Sequence, residues 1–306
     1  MQLSTPEHAR YSPSALARIL ICPGSVDLAA AQPRTTSVYA ERGTRLHDYA
    51  RRWLEQGRPP ADFDQLSEDD QAQVTVCADY AATRRGLLLP EQRVTVLNDA
   101  DCWGTADLIV FSADALEIVD FKFGHHGVLA DGNPQLAAYA IGARNHLSWF
   151  QDYREITCTI VQPRSYPAVS SAVVTVEDLQ QLESDLRQAI AESDAPQPVY
   201  RPHEIACRWC PAGGVCPALA RHMRQITLEN PDSYSSEELA ERLAYADQAE
   251  AWAEAIKHLA FERLLKGTPI PGYALVESNT HRRWIDEDHD IDANGIVHVS
   301  AKDLGT

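Results

Sequence analysis

The chain has 306 residues, 44% hydrophobic and 23% charged, a size and composition that suit one large globular domain or two modest ones. It has no run of about eighteen apolar residues and no charged N-terminal segment followed by an apolar core, so we expect no membrane span, no signal peptide and a cytoplasmic location. The formal net charge of −17 excludes a generic nucleic-acid coat protein, although a local basic groove can coexist with an acidic surface.

Helical patterns fill the first part of the chain, and a short sheet follows. Residues 12–56 have helical periodicity that begins at Ser12-Pro13-Ser14 and is interrupted at Pro23-Gly24. A second helical region is expected over residues 62–86. Apolar and polar residues then alternate between short turns, which is typical of half-buried strands. The predicted strands are residues 94–97, 103–111 and 116–123.

The remainder of the chain continues this α/β pattern. We expect helices at residues 135–147 and 176–193 and strands at residues 156–162 and 172–176. Residues 194–218 are rich in proline, glycine and cysteine and show no periodicity.

A long helix dominates the C-terminal part. It is predicted over residues 235–266, because Ser235 and Glu238 form a capping box and Gly267 is a stop signal. A short β-like segment at residues 273–278 and an acidic tail follow. The sequence therefore predicts an α/β fold with a short mixed sheet flanked by helices. We expect one catalytic domain over residues 10–225 and a C-terminal appendage over residues 226–306.

Two acidic residues and a lysine lie on neighbouring predicted strands. Asp120 and Lys122 are two residues apart, so on a strand they point to the same face, and Asp107 lies on the preceding strand. Carboxylates are hard ligands suited to Mg²⁺ or Mn²⁺, and the backbone carbonyl of Phe121 offers a third oxygen. Lys122 can orient water and stabilise negative charge. This set predicts metal-dependent phosphodiester cleavage.

An ordinary salt bridge between Asp120 and Lys122 is the alternative explanation of this spacing. However, the chain has only four lysines, and Lys122 is the only one in the first 256 residues. It also lies in an apolar strand, where a surface role is hard to argue. The scarcity of lysine therefore favours a functional Lys122.

Four further polar side chains are candidates for the same site. His47 lies on an amphipathic helix, and Glu91 precedes the first predicted strand. Gln135 and Tyr139 are four residues apart, so they share one face of their helix. Taken singly, each of these residues also fits ordinary helix or strand packing.

Together these residues resemble the PD-(D/E)XK nuclease superfamily, in its RecB-like exonuclease branch, over about residues 12–220. The resemblance implies a restriction-endonuclease-like core. It also implies metal binding by the His and acidic positions, catalytic assistance by the Lys, and DNA contacts by the Gln-x-x-x-Tyr helix. Ala106 stands where the name of the superfamily has proline. The matching positions are His47, Glu91, Asp107, Asp120, Lys122, Gln135 and Tyr139.

The seven cysteines fall into two groups, and in a reducing compartment we expect no disulfide framework. Cys77, Cys102 and Cys158 stand singly in apolar surroundings, which predicts buried structural thiols. The other four, Cys22, Cys207, Cys210 and Cys216, are candidate metal ligands.

The compact spacing Cys207-x-x-Cys210-x5-Cys216 by itself favours zinc, with Cys22 or His203 as the fourth ligand. The resemblance implies a different metal. RecB-like nucleases of the same branch have one cysteine before the core and three after it, and these four bind a 4Fe–4S cluster. An iron–sulfur cluster held by the four cysteines is therefore the expectation, with zinc as the alternative.

Arginines near His47 predict where DNA binds. Arg42 and Arg45 suggest a groove that follows phosphates, although a charge-balanced helix face explains the same pattern. Three further stretches resemble phage and prophage RecB-like nucleases. The resemblance implies DNA ends or single strands as substrate, a role in phage recombination, replication or repair, and a recombination or annealing protein as partner. A non-catalytic DNA-binding module with a relic nuclease fold, and an endonuclease or nickase, are the alternatives. The three stretches are residues 12–25, 42–47 and 270–284.

Overall fold

The computed structural model describes residues 9–33, 38–97, 101–112, 115–146, 155–226 and 235–275. The chain forms two compact units, Met1–Arg201 and Pro202–Thr306. Among the described residues, no helix combines the length and the apolar character needed to cross a membrane.

A five-stranded mixed sheet organises the first unit, and its strands lie side by side in chain order. The pairs β1–β2, β2–β3 and β4–β5 are antiparallel, whereas β3 and β4 are parallel and are joined through helix α5. Parallel neighbours need such a crossover because a tight turn cannot return the chain to the same end of the sheet. The strands are β1 (Leu87–Thr95), β2 (Trp103–Phe111), β3 (Ala115–Phe121), β4 (Glu155–Val161) and β5 (Val169–Val173).

Helices cover both faces of this sheet. On one face, Ile109, Leu116 and Ile118 belong to a core that also contains residues of α5 and α6. On the other face, Leu108, Val119 and further strand residues belong to a core shared with α3 and α4. The helices of this unit are α1 (Leu16–Ile21), α2 (Ser25–Ala30), α3 (Val38–Gln56), α4 (Glu68–Ala82), α5 (Pro134–His146) and α6 (Val176–Ser193). The predicted α/β fold with a short mixed sheet flanked by helices is therefore confirmed.

Strand β1 differs most from its prediction. It begins at Leu87, seven residues before the predicted start, and it contains both Pro90 and Glu91. Proline is tolerated because β1 is an edge strand, where a missing backbone donor does not interrupt a second ladder. The statement that Glu91 precedes the strand was wrong, since Glu91 lies inside it.

Two other elements also shift. The helical region predicted over residues 62–86 is a short 3₁₀ turn at Phe63–Gln65 followed by α4. The fifth strand begins at Val169 rather than at residue 172 and ends before α6 begins at Val176. The three cysteines predicted as buried thiols, Cys77, Cys102 and Cys158, are at most 1% exposed, which confirms that prediction.

The second unit is helical in its described part. The long helix α9 has the predicted capping box, in which Ser235 accepts the amide of Glu238 and the Glu238 carboxylate accepts the amide of Ser235. Ile270 and Tyr273 form an isolated bridge. Residues 276–278 of the predicted β-like segment, the acidic tail and the end of the 270–284 stretch lie outside the described residues. The helices are α7 (Glu204–Arg208), α8 (Pro217–Ile226) and α9 (Ser236–Leu265).

Candidate metal centre

The two aspartates meet where β2 and β3 separate. The antiparallel pairing of these strands ends at Leu108 opposite Val119, and the next position of the same register places Asp107 beside Asp120. Here the Asp107 Oδ2 atom accepts the backbone amide of Phe121 at 2.6 Å. The Asp107 carboxylate thus accepts a backbone amide of β3 at the position where the pairing between β2 and β3 ends.

Glu91 joins this row from the edge strand. Pro90 pairs with Leu108 and Gln92 pairs with Ala106, so Glu91 lies opposite Asp107. The backbone of Glu91 has a φ of 47°, which is the left-handed region that non-glycine residues rarely adopt. Such strained residues are concentrated at functional sites, where the surrounding structure holds them in place.

His47 reaches the row from helix α3. Its Nδ1 atom lies 3.2 Å from Asp107 Oδ1, and the Phe123 ring packs edge-on against the imidazole at a centroid distance of 5.0 Å. One ligand atom each from His47, Glu91 and Asp107 lie within 4.8 Å of one another, the only such group of three in the described part of the chain. One nitrogen and two carboxylate oxygens are a donor set that suits a divalent cation.

Asp120 and Lys122 form the second half of the site, and Gln135 holds both. Lys122 Nζ lies 2.7 Å from Asp120 Oδ2. The amide nitrogen of Gln135 donates to Asp120 Oδ1 at 2.9 Å, while its amide oxygen accepts from Lys122 Nζ at 3.2 Å. The Gln135 side chain therefore fixes the acid and the amine in one arrangement.

Burial and crowded negative charge shift the ionisation of these groups. Burial, reinforced by Asp107, raises the pKa of Glu91 to about 7. Burial also raises the pKa of Asp120, although the charge of Lys122 opposes the shift. Burial alone would lower the pKa values of Lys122 and His47. For Lys122, the charge and hydrogen bond of Asp120 together with the charge of Asp107 outweigh burial, and for His47 the charge and hydrogen bond of Asp107 together with the charge of Asp120 do so, which leaves both pKa values above their ordinary values.

The charge balance of the site supports the fit of a cation. The Lys122 ammonium lies 2.7 Å from the buried Asp120 Oδ2, so this one positive side chain faces three carboxylates, those of Asp120, Asp107 and Glu91. Together with the raised pKa of Glu91, this leaves a surplus of negative charge that a divalent cation would neutralise. The residues present therefore fit a hard divalent metal.

Helix α5, which was predicted to contact DNA, places Gln135 and Tyr139 at the metal centre. Gln135 bonds within the site, and Tyr139 is only 5% exposed. The Tyr139 hydroxyl lies 3.3 Å from the Gln135 amide nitrogen, and its ring lies close to Gly104. In this structure Tyr139 is therefore buried against Gln135, and its contact with DNA stays a prediction.

The two arginines predicted to bind phosphate are engaged by acidic residues of α4. Arg42 contacts Asp69 at 3.1 Å and also pairs with Asp70, and Arg45 contacts Asp70 at 3.0 Å. Sequence inspection missed this pairing, together with Arg164, which also pairs with Asp69. Nothing in the local sequence around Arg164 indicates the contact, since the two partners are far apart along the chain.

The sulfur atoms of three of the four candidate ligand cysteines each accept a hydrogen bond from a backbone amide. In the first unit, Cys22 is buried, and its sulfur accepts the amide of Arg201 at 3.3 Å. In the second unit, the sulfurs of Cys207 and Cys216 accept the amides of His203 and Leu219, each at 3.5 Å. The imidazole of His203, the alternative zinc ligand, accepts the Ile205 amide through Nδ1.

Two solved structures show weak similarity to this chain. A candidate exonuclease from Eubacterium rectale is 16% identical, with a TM-score of 0.41, and the match covers 76% of this chain and 97% of that protein. The protein SSO0001 is also 16% identical, with a TM-score of 0.34, and the match covers 71% of this chain and 90% of that one. Because both TM-scores are low, the fold assignment rests on the sheet topology itself. A family model described as "Protein of unknown function (DUF2800)" matches residues 8–79 and 62–297, and the chain belongs to this family.

Proposed function

We propose that the chain is an Mg²⁺- or Mn²⁺-dependent deoxyribonuclease of the PD-(D/E)XK type, in the RecB-like exonuclease branch. One observation carries the proposal. Three potential ligands, His47, Glu91 and Asp107, converge within 4.8 Å next to the buried pair of Asp120 and Lys122. An acid-rich centre with an adjacent ammonium can bind a divalent cation and stabilise the negative charge that develops when a phosphodiester is hydrolysed.

The residues divide into metal ligands and charge stabilisers. His47, Asp107 and Asp120 would hold the cation, with Glu91 as a further carboxylate and the Phe121 carbonyl as a backbone ligand. When bound, a divalent cation supplies Lewis-acid stabilisation of charge on the phosphate and favours ionisation of a nearby water. Phe121 also donates its amide to Asp107, so the backbone at this position orients the carboxylate.

Lys122 acts as a positioned cation in this proposal. Its ammonium lies between Asp120 and the Gln135 amide oxygen, which restricts its motion. From there it donates to the water or to the phosphate oxygen on which negative charge develops. Gln135 is a positioning residue, because it touches both Asp120 and Lys122.

DNA ends or single strands are the proposed substrate, and phage DNA recombination, replication or repair is the proposed setting. A recombination or annealing protein would then be a natural partner. The resemblance of the motifs supports the proposed substrate, setting and partner, whereas the residues of the metal centre support the proposed reaction.

We also propose that Cys22, Cys207, Cys210 and Cys216 hold a 4Fe–4S cluster, with zinc as the alternative. The amide donors to three of these sulfurs support the proposal, because N–H···S bonds stabilise ligating thiolates and tune iron–sulfur centres. Four thiolates suit either metal. The cluster would stabilise the fold and take no part in hydrolysis.

Digestion of end-labelled DNA tests the proposed activity. Linear and circular DNA, each single- and double-stranded, are incubated with Mg²⁺, Mn²⁺ or EDTA. Release of nucleotides from linear DNA, with circular DNA intact, is expected for an exonuclease. Cleavage of circular DNA would identify an endonuclease or nickase. Binding without cleavage under all conditions would support the relic module and contradict the proposal.

A further inference from the structure

A cluster of charged side chains borders the metal centre without belonging to it. Helix α3 and the segments after β3 and β4 contribute basic residues, and the start of α4 contributes acids. The cluster and the centre share stretches of the chain: Arg45 precedes His47 by two residues, and Phe123, which packs on His47, precedes His125 by two. The members of this arginine cluster are Arg42, Arg45, His125, Arg164, Asp69 and Asp70.

The two aspartates of the arginine cluster differ in exposure. The Asp70 side chain is 5% exposed and pairs with Arg42 and Arg45, which ties α3 to α4. The Asp69 side chain is 51% exposed and pairs with Arg42 and Arg164. Asp70 therefore has a structural position, whereas Asp69 is an anion at the surface that solvent or a ligand can replace.

Arg164 connects the acidic residues of the cluster to His125, in the segment after β3. Its Nη2 atom pairs with Asp69, and its Nη1 atom lies 2.7 Å from His125 Nε2. His125 follows Lys122 by three residues. The guanidinium is thus held near the site by one exposed acid and one exposed imidazole.

The charge balance of the cluster favours an anionic ligand. Three guanidinium groups face two carboxylates, which leaves one net positive charge in a chain whose net charge is −17. A planar guanidinium binds carboxylate and phosphate oxygens with the same forked geometry. Arg42 and Arg164 can therefore exchange the Asp69 carboxylate for a backbone phosphate, which also presents two acceptor oxygens and one negative charge.

We propose that Asp69 occupies the place of a backbone phosphate and that Arg164 and Arg42 bind this phosphate when a DNA strand enters the site. The inference rests on the proposed nuclease function and adds a specific contact to it. Asp69 competes with the strand, so it lowers the affinity for DNA. Arg164 becomes a substrate-binding residue that sequence motifs do not indicate.

A purely structural role for these ion pairs predicts the opposite effect at Asp69. If the pairs only join α3, α4 and the segment after β4, Asp69→Asn weakens the fold and brings no gain in DNA binding. If Asp69 competes with phosphate, the same substitution tightens binding. The direction of the change in affinity therefore separates the two roles.

The experiment measures binding of a fluorescein-labelled single-stranded oligonucleotide by anisotropy, with Ca²⁺ in place of Mg²⁺, over a series of salt concentrations. We expect Asp69→Asn to bind about fivefold more tightly and Arg164→Gln about fivefold more weakly than the wild type. The slope of log affinity against log salt should shrink by about 0.7 in Arg164→Gln, since one phosphate contact to a single strand is lost. Asp79→Asn, an exposed acid on the same helix, and Arg187→Gln, an exposed arginine on α6, are the matched controls.

Each result supports or overturns the inference. Unchanged or weaker binding by Asp69→Asn, in a protein whose melting temperature is normal, overturns it. If Asp69→Asn does not fold, an unchanged salt slope in Arg164→Gln overturns it equally. Cleavage of DNA by the wild type, measured in parallel with Mn²⁺, distinguishes a failure of the arginine-cluster inference from a failure of the nuclease proposal. A wild type that cleaves while the Asp69 effect is absent refutes only the arginine cluster, whereas a wild type that neither binds nor cleaves refutes the nuclease proposal as well.

Discussion

Glu91 and Asp107 face each other across the antiparallel pair of β1 and β2, so two carboxylates lie side by side near the middle of these strands. Together with His47 they form a group whose ligand atoms lie within 4.8 Å. The arrangement is unfavourable without a counter-charge, because burial and the charge of Asp107 raise the pKa of Glu91 to about 7. The centre is therefore organised at a cost to folding that a bound cation would offset.

Glu91→Gln is expected to stabilise the metal-free protein and to weaken metal binding. The amide removes a carboxylate that the fold disfavours, so the free energy of unfolding at about pH 8 should rise by about 1 kcal/mol. Mn²⁺ affinity should fall by about tenfold to a hundredfold, as for other perturbed metal sites. Chemical denaturation and calorimetric titration measure the two effects, with exposed Glu250→Gln as control. A stability loss with unchanged Mn²⁺ affinity would show that Glu91 is a packing residue.

The stabilising effect of Mn²⁺ should increase with pH. The pKa of Glu91 is about 7 in the folded protein, above its ordinary value of 4.5. Between these two pH values, Glu91 therefore binds its proton more tightly in the folded metal-free state than in the unfolded chain. Stability of the metal-free protein therefore falls as the pH rises through that window. The pKa values of Asp120 and His47 are also raised, and metal binding requires deprotonated ligands.

Melting temperatures with and without Mn²⁺, measured between about pH 5.5 and pH 8, test this dependence. The shift caused by Mn²⁺ should be smallest at the acidic end and largest at pH 8. A shift of equal size at every pH would argue that the metal binds elsewhere.

Gln135→Met should slow cleavage without weakening DNA binding. Methionine has a similar length but cannot hold Asp120 or Lys122, so we expect the rate of DNA-bound enzyme to fall by about tenfold to a hundredfold. Binding should stay within about twofold of the wild type. Single-turnover cleavage and anisotropy separate the two quantities, and exposed Gln188→Met on α6 is the control. Loss of binding at an unchanged rate would instead identify Gln135 as a DNA contact.

Protein purified without oxygen should contain iron and acid-labile sulfide and show visible absorption. Cys207→Ala should lose both elements, because the substitution removes one of the four proposed thiolate ligands. Cys158→Ala, which removes a buried thiol from the sheet, should retain the cluster. A colourless wild-type protein with stoichiometric zinc would contradict the iron–sulfur proposal.

The sequence predicted the elements with clear periodicity or caps. Strand β2 spans Trp103–Phe111 and helix α6 spans Val176–Ser193, both as expected. The start of β1 was missed because Pro90 ends the apolar run that begins at Leu87. Proline is acceptable inside a strand only if the strand lies at the edge of a sheet. Edge position is a property of the whole sheet, so local sequence does not contain it.

The site shows the same division between local and distant information. The proximity of Asp120 and Lys122 was visible in their spacing, although β3 ends at Phe121, before the predicted end at residue 123, and Lys122 lies just beyond it. The pairing of Glu91 with Asp107 depends on register, and that of Arg164 with Asp69 depends on a loop and a helix from distant parts of the chain. Such contacts become known only when the elements are packed together.

The most direct test of the central claim is single-turnover cleavage of end-labelled single-stranded DNA with Mn²⁺, comparing the wild type with Lys122→Met. Methionine keeps most of the side-chain volume but removes the ammonium beside Asp120. We predict metal-dependent cleavage by the wild type, and a rate at least about a hundredfold lower in a variant that melts normally and still binds DNA. Equal cleavage rates in the two proteins, or cleavage by the wild type that persists in EDTA, would contradict the assignment of this site.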